Sequence, residues 1–517
     1  SEGRAEEAIS LGNAIGDECV ALAESMEDLL SLLDAVFADA TDMYVVTLSV
    51  LYFVLREGAF LDKAESLICR EDLNVFLSLA IQFNMTFERF KTGLDFPAYS
   101  QQREVHRSLV RMMEKVLYCP KAGAENERKK RIFLMTDSFL IKDEKHQGVH
   151  APTDLVENFY TILRYQLGYE VTLLSMPCID EETDIEGYWF KYYCRNYLPA
   201  LHGNFETIYK GKKVEGFQQP IGERHISATI NLIKEIEKWQ PEFIFHLGGE
   251  SVIPEMFLNL APTVVMHCTN GYPVSGAPYL ISYMGQESAF ARESKKYIRQ
   301  AGQKTYNLVL PSEEVELKQN YKKSDFGYQE KDFVIAVVGN RIETEIDEEF
   351  LELMENIAMK EKSCYFCLIG KYKKAITIEG LKGRVKCLGY REDLKEVLAM
   401  TDLFLNPRRM GASAGAAYAM AVGVPVVTLP DCDVAATVGD DFICESYEQM
   451  LPLVEKYICD KVFYEKVMRF MYDGALHPDT ENALSGGIFR DNFLQYRQNV
   501  LNFFGSDFLN LQCTSVL

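Results

Sequence analysis

Residues Met410–Pro430 read MGASAGAAYAMAVGVPVVTLP, a run of small residues that leads into a helical pattern and then into a short apolar strand. Glycine and alanine at this density indicate that another group comes close to the backbone. Two explanations fit: an anionic ligand approaches the amide groups, or the helix packs tightly on a sheet. The helical part carries no acidic residue.

Strand and helix patterns alternate on the N-terminal side of this stretch. One series begins with the apolar run DFVIAVVGN at Asp332 and continues through VKCLGY, REDLKEVLAMT and DLFLNP. An earlier series begins near Lys130 with RIFLMTDSFL and includes DLVENFYTILRYQLGY and EVTLLSM. Such alternation predicts parallel sheets covered by helices. Two successive series predict two facing Rossmann-like domains with a cleft between them.

The remaining segments have helical patterns. Up to Tyr118, apolar residues recur at steps of three and four, which predicts an all-helical segment. The polar stretch CPKAGAENERKK, from Cys119 to Lys130, is the clearest linker. We predict an all-helical domain at 1–118, an acceptor domain at 130–315, a donor domain at 316–475, and C-terminal helices at 476–517 that brace the two halves.

Composition excludes some classes of partner. The 517 residues carry 76 acidic and 54 basic side chains, for a net charge of −22. A nucleic-acid backbone needs a basic face, so we expect no nucleic-acid partner. A nucleotide remains compatible, because it needs only a few local cations and backbone N–H groups.

Cysteine usage and hydropathy indicate the compartment. The 13 cysteines are scattered, and the pair Cys364 and Cys367 reads either as a redox or zinc pair or, as we favour, as part of a buried strand. The chain opens with the polar SEGRAEEAIS, and its longest apolar run, Met43–Leu55, is shorter than the ~18–20 residues that span a bilayer. We therefore expect a reduced, cytoplasmic protein without a membrane span.

Several segments resemble GT-B glycosyltransferases. DFVIAVVGNRIETEIDEEFLELM from Asp332, the run from Val385 to Pro430 and DCDVAATVGDDF from Asp431 resemble their donor-binding half. HAPTDLVENFYTILRYQLGYEVTLLS from His150 and APTVVMHCTNGYPVSGA from Ala261 are similar to segments of protein O-GlcNAc transferases. That group, with its bacterial relatives that glucosylate adhesins, also places helices before the GT-B core.

The resemblance implies a GT-B fold and the transfer of a hexosyl or N-acetylhexosaminyl group from a UDP-sugar. It also implies a protein, peptide or glycan acceptor, with an oligomer or partner subunit formed through the N-terminal helices. We expect no metal or other cofactor, because helix N-terminal N–H groups and side-chain cations then stabilise the diphosphate.

The donor site is predicted where strands of the second series end. The resemblance assigns diphosphate contacts to Arg341 and Lys371, and Arg408 and Arg409 are further cations nearby. The segment LGYRED resembles a base-reading loop, although a plain strand-to-helix turn fits equally well. The predicted donor-binding residues are Arg341, Lys371, Tyr390, Arg391, Gly411, Ala412, Ser413, Ala414, Gly415 and Tyr418.

Acceptor-side candidates lie in the first series. His150 opens a helix after the first strand, where a histidine takes a proton from an acceptor hydroxyl. Gly271, Tyr272 and Pro273 are predicted to line the acceptor or sugar pocket. His246 and His267 lie in apolar strands and read more readily as hydrogen-bonded core residues.

One departure from the GT-B pattern concerns the ribose. Many such enzymes carry an acidic residue on the helix after the small-residue loop, where this chain has Ala417 and Tyr418. Either Tyr418, Asp431 or Asp433 holds the ribose, or the donor differs, or the chain is a non-catalytic subunit that binds protein and regulates a partner transferase. A GT-B-fold sugar-nucleotide epimerase is a third possibility, which the helical segment disfavours.

Overall fold

The computed structural model describes most of the chain up to Asp473. The described residues are 2–92, 97–123, 130–137, 139, 151–177, 202–248, 251–268, 272–282, 289–307, 317–409, 411, 413–430, 432–438 and 442–473. The predicted C-terminal helices at 476–517 lie outside these ranges. The chain divides into two compact units. The first comprises Ser1–Phe90, Leu94–Ser282 and Ala289–Tyr306, and the second comprises Lys91–Gly93, Tyr283–Ser288 and Asn307–Leu517.

Six helices open the first unit. They are α1 Glu2–Leu22, α2 Met26–Val36, α3 Thr41–Leu55, α4 Ala59–Ile68, α5 Val75–Thr92 and α6 Tyr99–Glu114. Helix α2 begins at a cap in which the Ser25 hydroxyl accepts from the Asp28 amide, which satisfies one of the free N–H groups of the first turn. Helix α3 contains the longest apolar run and buries Tyr44, Leu48 and Tyr52 completely, as expected for a core helix. Among the described residues, no helix has the length and apolarity needed to cross a bilayer.

The first unit also contains an eight-stranded sheet in the order β3-β4-β2-β1-β5-β6-β7-β8. Its strands are β1 Arg131–Thr136, β2 Glu170–Ser175, β3 Gly203–Tyr209, β4 Lys212–Gln218, β5 Phe243–Gly248, β6 Thr263–His267, β7 Tyr279–Ser282 and β8 Lys304–Asn307. Its helices are α7 Ala151–Tyr165, α8 Ile226–Trp239 and α9 Ala289–Gln300. The strands from β4 through β2, β1, β5 and β6 to β7 pair in parallel. Helices α1–α6 thus share one compact unit with this sheet.

The sequence patterns did not indicate strands β3, β4 and β7. Strands β3 and β4 form an antiparallel hairpin whose two-residue loop is Lys210 and Gly211, at φ 48° and 74°. Positive φ at both positions is the type I′ turn that matches strand twist, and it usually carries Asn-Gly or Asp-Gly. Lysine at the first loop position and the many charges nearby concealed this turn.

The second unit contains a five-stranded, fully parallel sheet in the order β11-β10-β9-β12-β13. Its strands are β9 Phe333–Val338, β10 Cys364–Ile369, β11 Val385–Gly389, β12 Leu403–Leu405 and β13 Val426–Val427. Its helices are α10 Ile342–Glu345, α11 Glu348–Lys360, α12 Leu394–Leu398, α13 Ser413–Ala421, α14 Ala435–Val438, α15 Tyr447–Cys459 and α16 Lys461–Asp473. The central strands are apolar along their whole length because helices cover both faces of a parallel sheet. Cys364 and Cys367 are both fully buried in β10, which supports the reading as part of a buried strand.

Candidate functional site

The carboxyl-terminal edge of the five-stranded sheet gathers most of the predicted donor residues. Arg341 follows β9, Lys371 follows β10 and Arg391 follows β11, while Arg408 and Arg409 follow β12. Because all five strands run parallel, these ends lie at one edge, where open α/β sheets bind their ligands. Arg341 and Lys371 follow neighbouring strands, because β9 pairs with β10.

Two glycines allow the ends of β9 and β10 to pack closely. A Cβ atom on Gly370, which has φ 136°, would lie 1.9 Å from the carbonyl oxygen of Gly339. A Cβ atom on Gly339 would lie 2.3 Å from Nη1 of Arg409. Both positions therefore exclude a side chain. The Lys373 amide donates to Glu343 Oε1 at 2.9 Å, so the loop that carries Lys371 is tied to α10.

Arg409 lies beneath this edge as a structural residue. Its side chain is only 2% exposed. It donates to Glu345 Oε2 at 2.8 Å, to the Val338 carbonyl at 2.6 Å and to Asn406 Oδ1 at 2.8 Å. These contacts join the ends of β9 and β12 to α10. Arg409, which the sequence suggested as another ligand cation, therefore holds the edge together from inside.

Arg341 is more accessible and shares the same carboxylate. Its Nε and Nη2 donate to Glu345 Oε1 at 3.0 and 2.8 Å, and its side chain is 30% exposed. Burial lowers the pKa of Arg341, and the facing Glu345 carboxylate opposes that shift. An arginine keeps its charge under such conditions, so a cation stands at the end of β9.

One part of the small-residue stretch packs in the core, and another part leaves the start of α13 partly exposed to solvent. Ala416 and Ala419 of α13 are fully buried and pack in the core of the unit, as the structural explanation requires. Ser413, Ala414 and Gly415 form the first turn of α13 and stay partly exposed. A Cβ atom on Gly415 would meet nothing closer than 3.7 Å, so packing does not demand glycine there. Met410 and Ala412 lie outside the described residues.

Gly411 and Asp433 connect the loop before α13 to the segment after β13. Gly411 has φ 94°, a conformation that favours glycine, and its amide donates to Asp433 Oδ2 at 2.7 Å. Asp433 is 4% exposed. A buried carboxylate thus lies next to the loop, on a different segment from the one where the GT-B pattern has its acid. Asp431 lies outside the described residues.

The loop after β11 presents one free face and one paired side chain. Tyr390 is 52% exposed. Arg391 donates to both carboxylate oxygens of Asp393, at 2.8 and 2.5 Å, and this pairing raises the Arg391 pKa. Tyr321 also donates to Asp393, at 2.6 Å. The side chain of Arg391 therefore stabilises the turn, and its predicted contact with a base rests on its backbone.

The remaining donor candidates occupy different environments. Lys371 is exposed on its loop. Tyr418 packs against the core of the unit, and its ring centre lies 4.5 Å from Lys395 Nζ. Lys395 therefore already covers part of the Tyr418 ring. A ribose could contact only the part of the ring that Lys395 leaves exposed. All described donor candidates lie in the second unit. They lie in α13 or in the loops at the carboxyl-terminal edge of the five-stranded sheet.

The acceptor-side predictions are only partly visible. His150 and Gly271 lie outside the described residues. Tyr272 is 3% exposed and packs in a cluster with Tyr99 and Leu280. The Pro273 carbonyl accepts from the Tyr99 hydroxyl of α6 at 2.9 Å. The described part of this loop is therefore fixed by the helical segment, and the ring of Tyr272 faces the core of the first unit.

Sequence reasoning missed the buried carboxylates that organise both sheets. Neither Glu345 in α10 nor Glu255 in the first unit stands out among the acidic residues of the sequence. Spacing alone identifies Glu345 as a partner of Arg341 at i,i+4. Nothing in the sequence links it to Arg409, 64 positions further along the chain.

Comparisons with known proteins give one family match and several structural likenesses. A family model described as glycosyl transferases group 1 matches residues 332–455, which contain the whole five-stranded sheet. A mutant O-GlcNAc transferase from Thermobaculum terrenum has a TM-score of 0.53 and 15% identity, covering 96% of this chain and 90% of that chain. Anabaena HepE in complex with UDP and glucose has a TM-score of 0.44 and 15% identity, covering 72% and 99%. A comparison with curated protein sequences finds no match.

These findings establish the fold. The chain has the GT-B fold of mixed α/β units with parallel sheets, preceded by a helical segment, as predicted from the sequence. At 15% identity, the likeness to the T. terrenum structure shows the fold alone. The match to glycosyl transferases group 1 covers the segment that carries Arg341, Lys371 and α13.

Proposed function

We propose that the protein is a glycosyltransferase that transfers a sugar from a nucleotide-sugar donor, in the first instance a UDP-sugar, to a protein or peptide acceptor. The supporting observation is the edge of the five-stranded sheet, where Arg341 and Lys371 follow adjacent strands next to the partly exposed first turn of α13. Cations and helix N-terminal amides are the groups that bind a diphosphate and stabilise its charge as it leaves. The family match to residues 332–455 points to the same chemistry.

Each residue has a distinct role in this proposal. Arg341 and Lys371 contact the diphosphate, and Ser413 adds a hydroxyl donor at the first turn of α13. The exposed ring of Tyr390 and the backbone of Arg391 read the base. Because side chains and amides supply the positive charge, we expect transfer to continue in the presence of a metal chelator.

A panel of nucleoside diphosphates tests the donor site directly. A ligand at 100 times its Kd stabilises the folded protein by about 2.7 kcal/mol. We expect UDP to raise the midpoint of thermal unfolding. Failure of every diphosphate in the panel to do so would refute the proposal.

The acceptor side has its own test. His150 is proposed as the group that accepts the proton of the acceptor hydroxyl. We expect His150→Ala to lower turnover roughly a hundredfold while diphosphate binding persists. Full activity in this variant would remove His150 from the mechanism.

A second candidate is a non-catalytic GT-B subunit that binds protein and regulates a partner transferase. The absence of any acidic residue from α13, together with the pairing of Arg341 with Glu345, favours it. The two functions separate in one assay. A transferase releases diphosphate from a nucleotide-sugar when the acceptor is supplied, whereas a regulatory subunit does so only when its partner transferase is present.

A further inference from the structure

Two arginines of the second unit share the single carboxylate of Glu345. Arg409 Nη1 donates to Oε2 at 2.8 Å, while Arg341 Nε and Nη2 donate to Oε1 at 3.0 and 2.8 Å. Each carboxylate oxygen thus serves a different arginine. The three side chains form a continuous chain from the interior of the unit to its surface.

The exposed fraction of these three side chains increases from Arg409 to Arg341. The side chains of Arg409 and Glu345 are 2% and 6% exposed, whereas that of Arg341 is 30% exposed. Arg409 is held in turn by the Val338 carbonyl and by Asn406, which donates to Thr428 Oγ1 at 3.1 Å. Glu345 is therefore held on its inner side by buried, hydrogen-bonded groups, and of the three side chains Arg341 is the most exposed.

The backbone supports the same arrangement. Arg341 directly precedes α10, and Glu345 ends this single helical turn, so the two side chains meet at i,i+4. Gly339 leaves room for Arg409, because a Cβ atom there would collide with Nη1. The sequence Gly339–Glu345 thus supplies the space, the carboxylate and the exposed cation within seven positions.

We propose that Glu345 is a positioning residue that orients the Arg341 guanidinium at the end of β9 for the diphosphate of the donor. This role rests on the proposed function, since it names the device that prepares that site. A long side chain that is already oriented loses less conformational freedom when its ligand binds. Glu345 itself does not touch the ligand.

Simple electrostatics predicts the opposite result for substitution, which makes the proposal testable. Glu345→Gln removes a negative charge next to an anion site and, by charge alone, would tighten binding. Loss of orientation would instead weaken it. The matched control is Glu349→Gln, which removes the same charge from a side chain that is 70% exposed and 3.7 Å from Arg408.

The experiment is a double-mutant cycle in which UDP affinity is measured by titration calorimetry. We expect Glu345→Gln to weaken UDP binding about fivefold in the wild-type background, less than the loss of Arg341 itself, and less than twofold in the Arg341→Ala background. Glu349→Gln should leave affinity unchanged or slightly tighter. Should Glu345→Gln fail to fold, Glu345→Asp keeps the charge beside Arg409 and shortens the reach to Arg341, so it should also weaken binding.

Three outcomes would overturn the positioning role. They are unchanged or tighter UDP binding by Glu345→Gln, an equal loss in both backgrounds, and an equal loss in Glu349→Gln. A wild-type protein that binds no nucleoside diphosphate would refute the proposed function itself, together with this role. Wild-type binding with an unaffected Glu345→Gln variant refutes the positioning role alone.

Discussion

Each unit of the protein contains a buried carboxylate with several partners, and the two differ in what they connect. In the first unit, Glu255 pairs with His106 of α6 and accepts from Ser275 Oγ at 2.9 Å and the Gly276 amide at 2.6 Å. In the second unit, Glu345 pairs with two arginines. The side-chain partners of Glu255 are buried, whereas one partner of Glu345 is 30% exposed.

The two networks differ in whether they are connected to an accessible side chain. Burial pushes the pKa of Glu255 upward, but His106, Gly276 and Ser275 together hold it below its ordinary value. That network joins the helical segment to the loop after β6 and ends inside the first unit. The Glu345 network includes a cation, Arg341, whose side chain is 30% exposed. The first network therefore stabilises the fold, while we propose that the second also orients a ligand-binding cation.

The largest effect is expected from Arg409→Met. It leaves the Glu345 carboxylate, the Val338 carbonyl and Asn406 without their buried partner, which costs about 4 kcal/mol. The neighbouring Arg408→Met is the matched control, because that side chain is 58% exposed and its loss costs under about 1 kcal/mol. Denaturant unfolding followed by circular dichroism measures both. Equal losses would show that the Arg409 network adds nothing to stability.

Glu255→Ala tests the corresponding network of the first unit. We expect a loss of about 3 kcal/mol, because His106, Ser275 and the Gly276 amide lose a common buried acceptor. Trp239 ends α8 in the first unit, so its fluorescence reports the unfolding of that unit. The control is Glu235→Ala, whose side chain is 60% exposed. A loss below about 1 kcal/mol would show that α6 is held by other contacts.

The pH dependence should differ between the units. Burial, with His246 nearby, lowers the pKa of His267 to about 4, and burial lowers that of His246 as well. As the pH falls below 6.5, these two histidines bind protons in the unfolded chain but stay neutral in the folded one. First-unit stability is therefore full above pH 6.5 and falls by about 2 kcal/mol on the way to pH 4.

The second unit provides the internal control for this prediction. Its described residues, 317–409, 411, 413–430, 432–438 and 442–473, contain no histidine. Unfolding monitored by tryptophan fluorescence should shift between pH 6.5 and 4, and His267→Gln should reduce that shift. A fluorescence midpoint that is constant over this window would contradict the assignment of these rings as neutral groups in the folded first unit.

The smallest effect concerns Arg341, for which we propose a role in binding the diphosphate. Arg341→Ala should weaken UDP binding about tenfold, equivalent to about 1.4 kcal/mol, and leave the unfolding midpoint without ligand unchanged. Lys382→Ala is the control, since it removes a cation that is 77% exposed and precedes β11 at the opposite edge of the sheet. Unaltered UDP affinity in Arg341→Ala would exclude this residue from the site.

Local patterns were sufficient where one segment determines its own structure. The apolar strands β1, β2, β9 and β10 and the amphipathic helices between them follow from periodicity and from the burial that a parallel sheet imposes. Periodicity did not predict the β3–β4 hairpin, because its turn carries lysine where asparagine or aspartate is usual. Strand β7 was missed as well, because its four residues directly follow a stretch of Gly, Pro and Ser that is typical of a loop.

The sequence by itself determined that strand ends would place Arg341, Lys371 and the first turn of α13 at one edge, since parallel strands share their direction. Only the tertiary structure decided which cations are accessible. Arg408 and Arg409 are adjacent in sequence, yet one is exposed and the other buried against Glu345. Arg409 is buried because it pairs with Glu345, which lies 64 positions earlier in the sequence. Burial of this kind depends on the packing of whole elements and leaves no local pattern in the sequence.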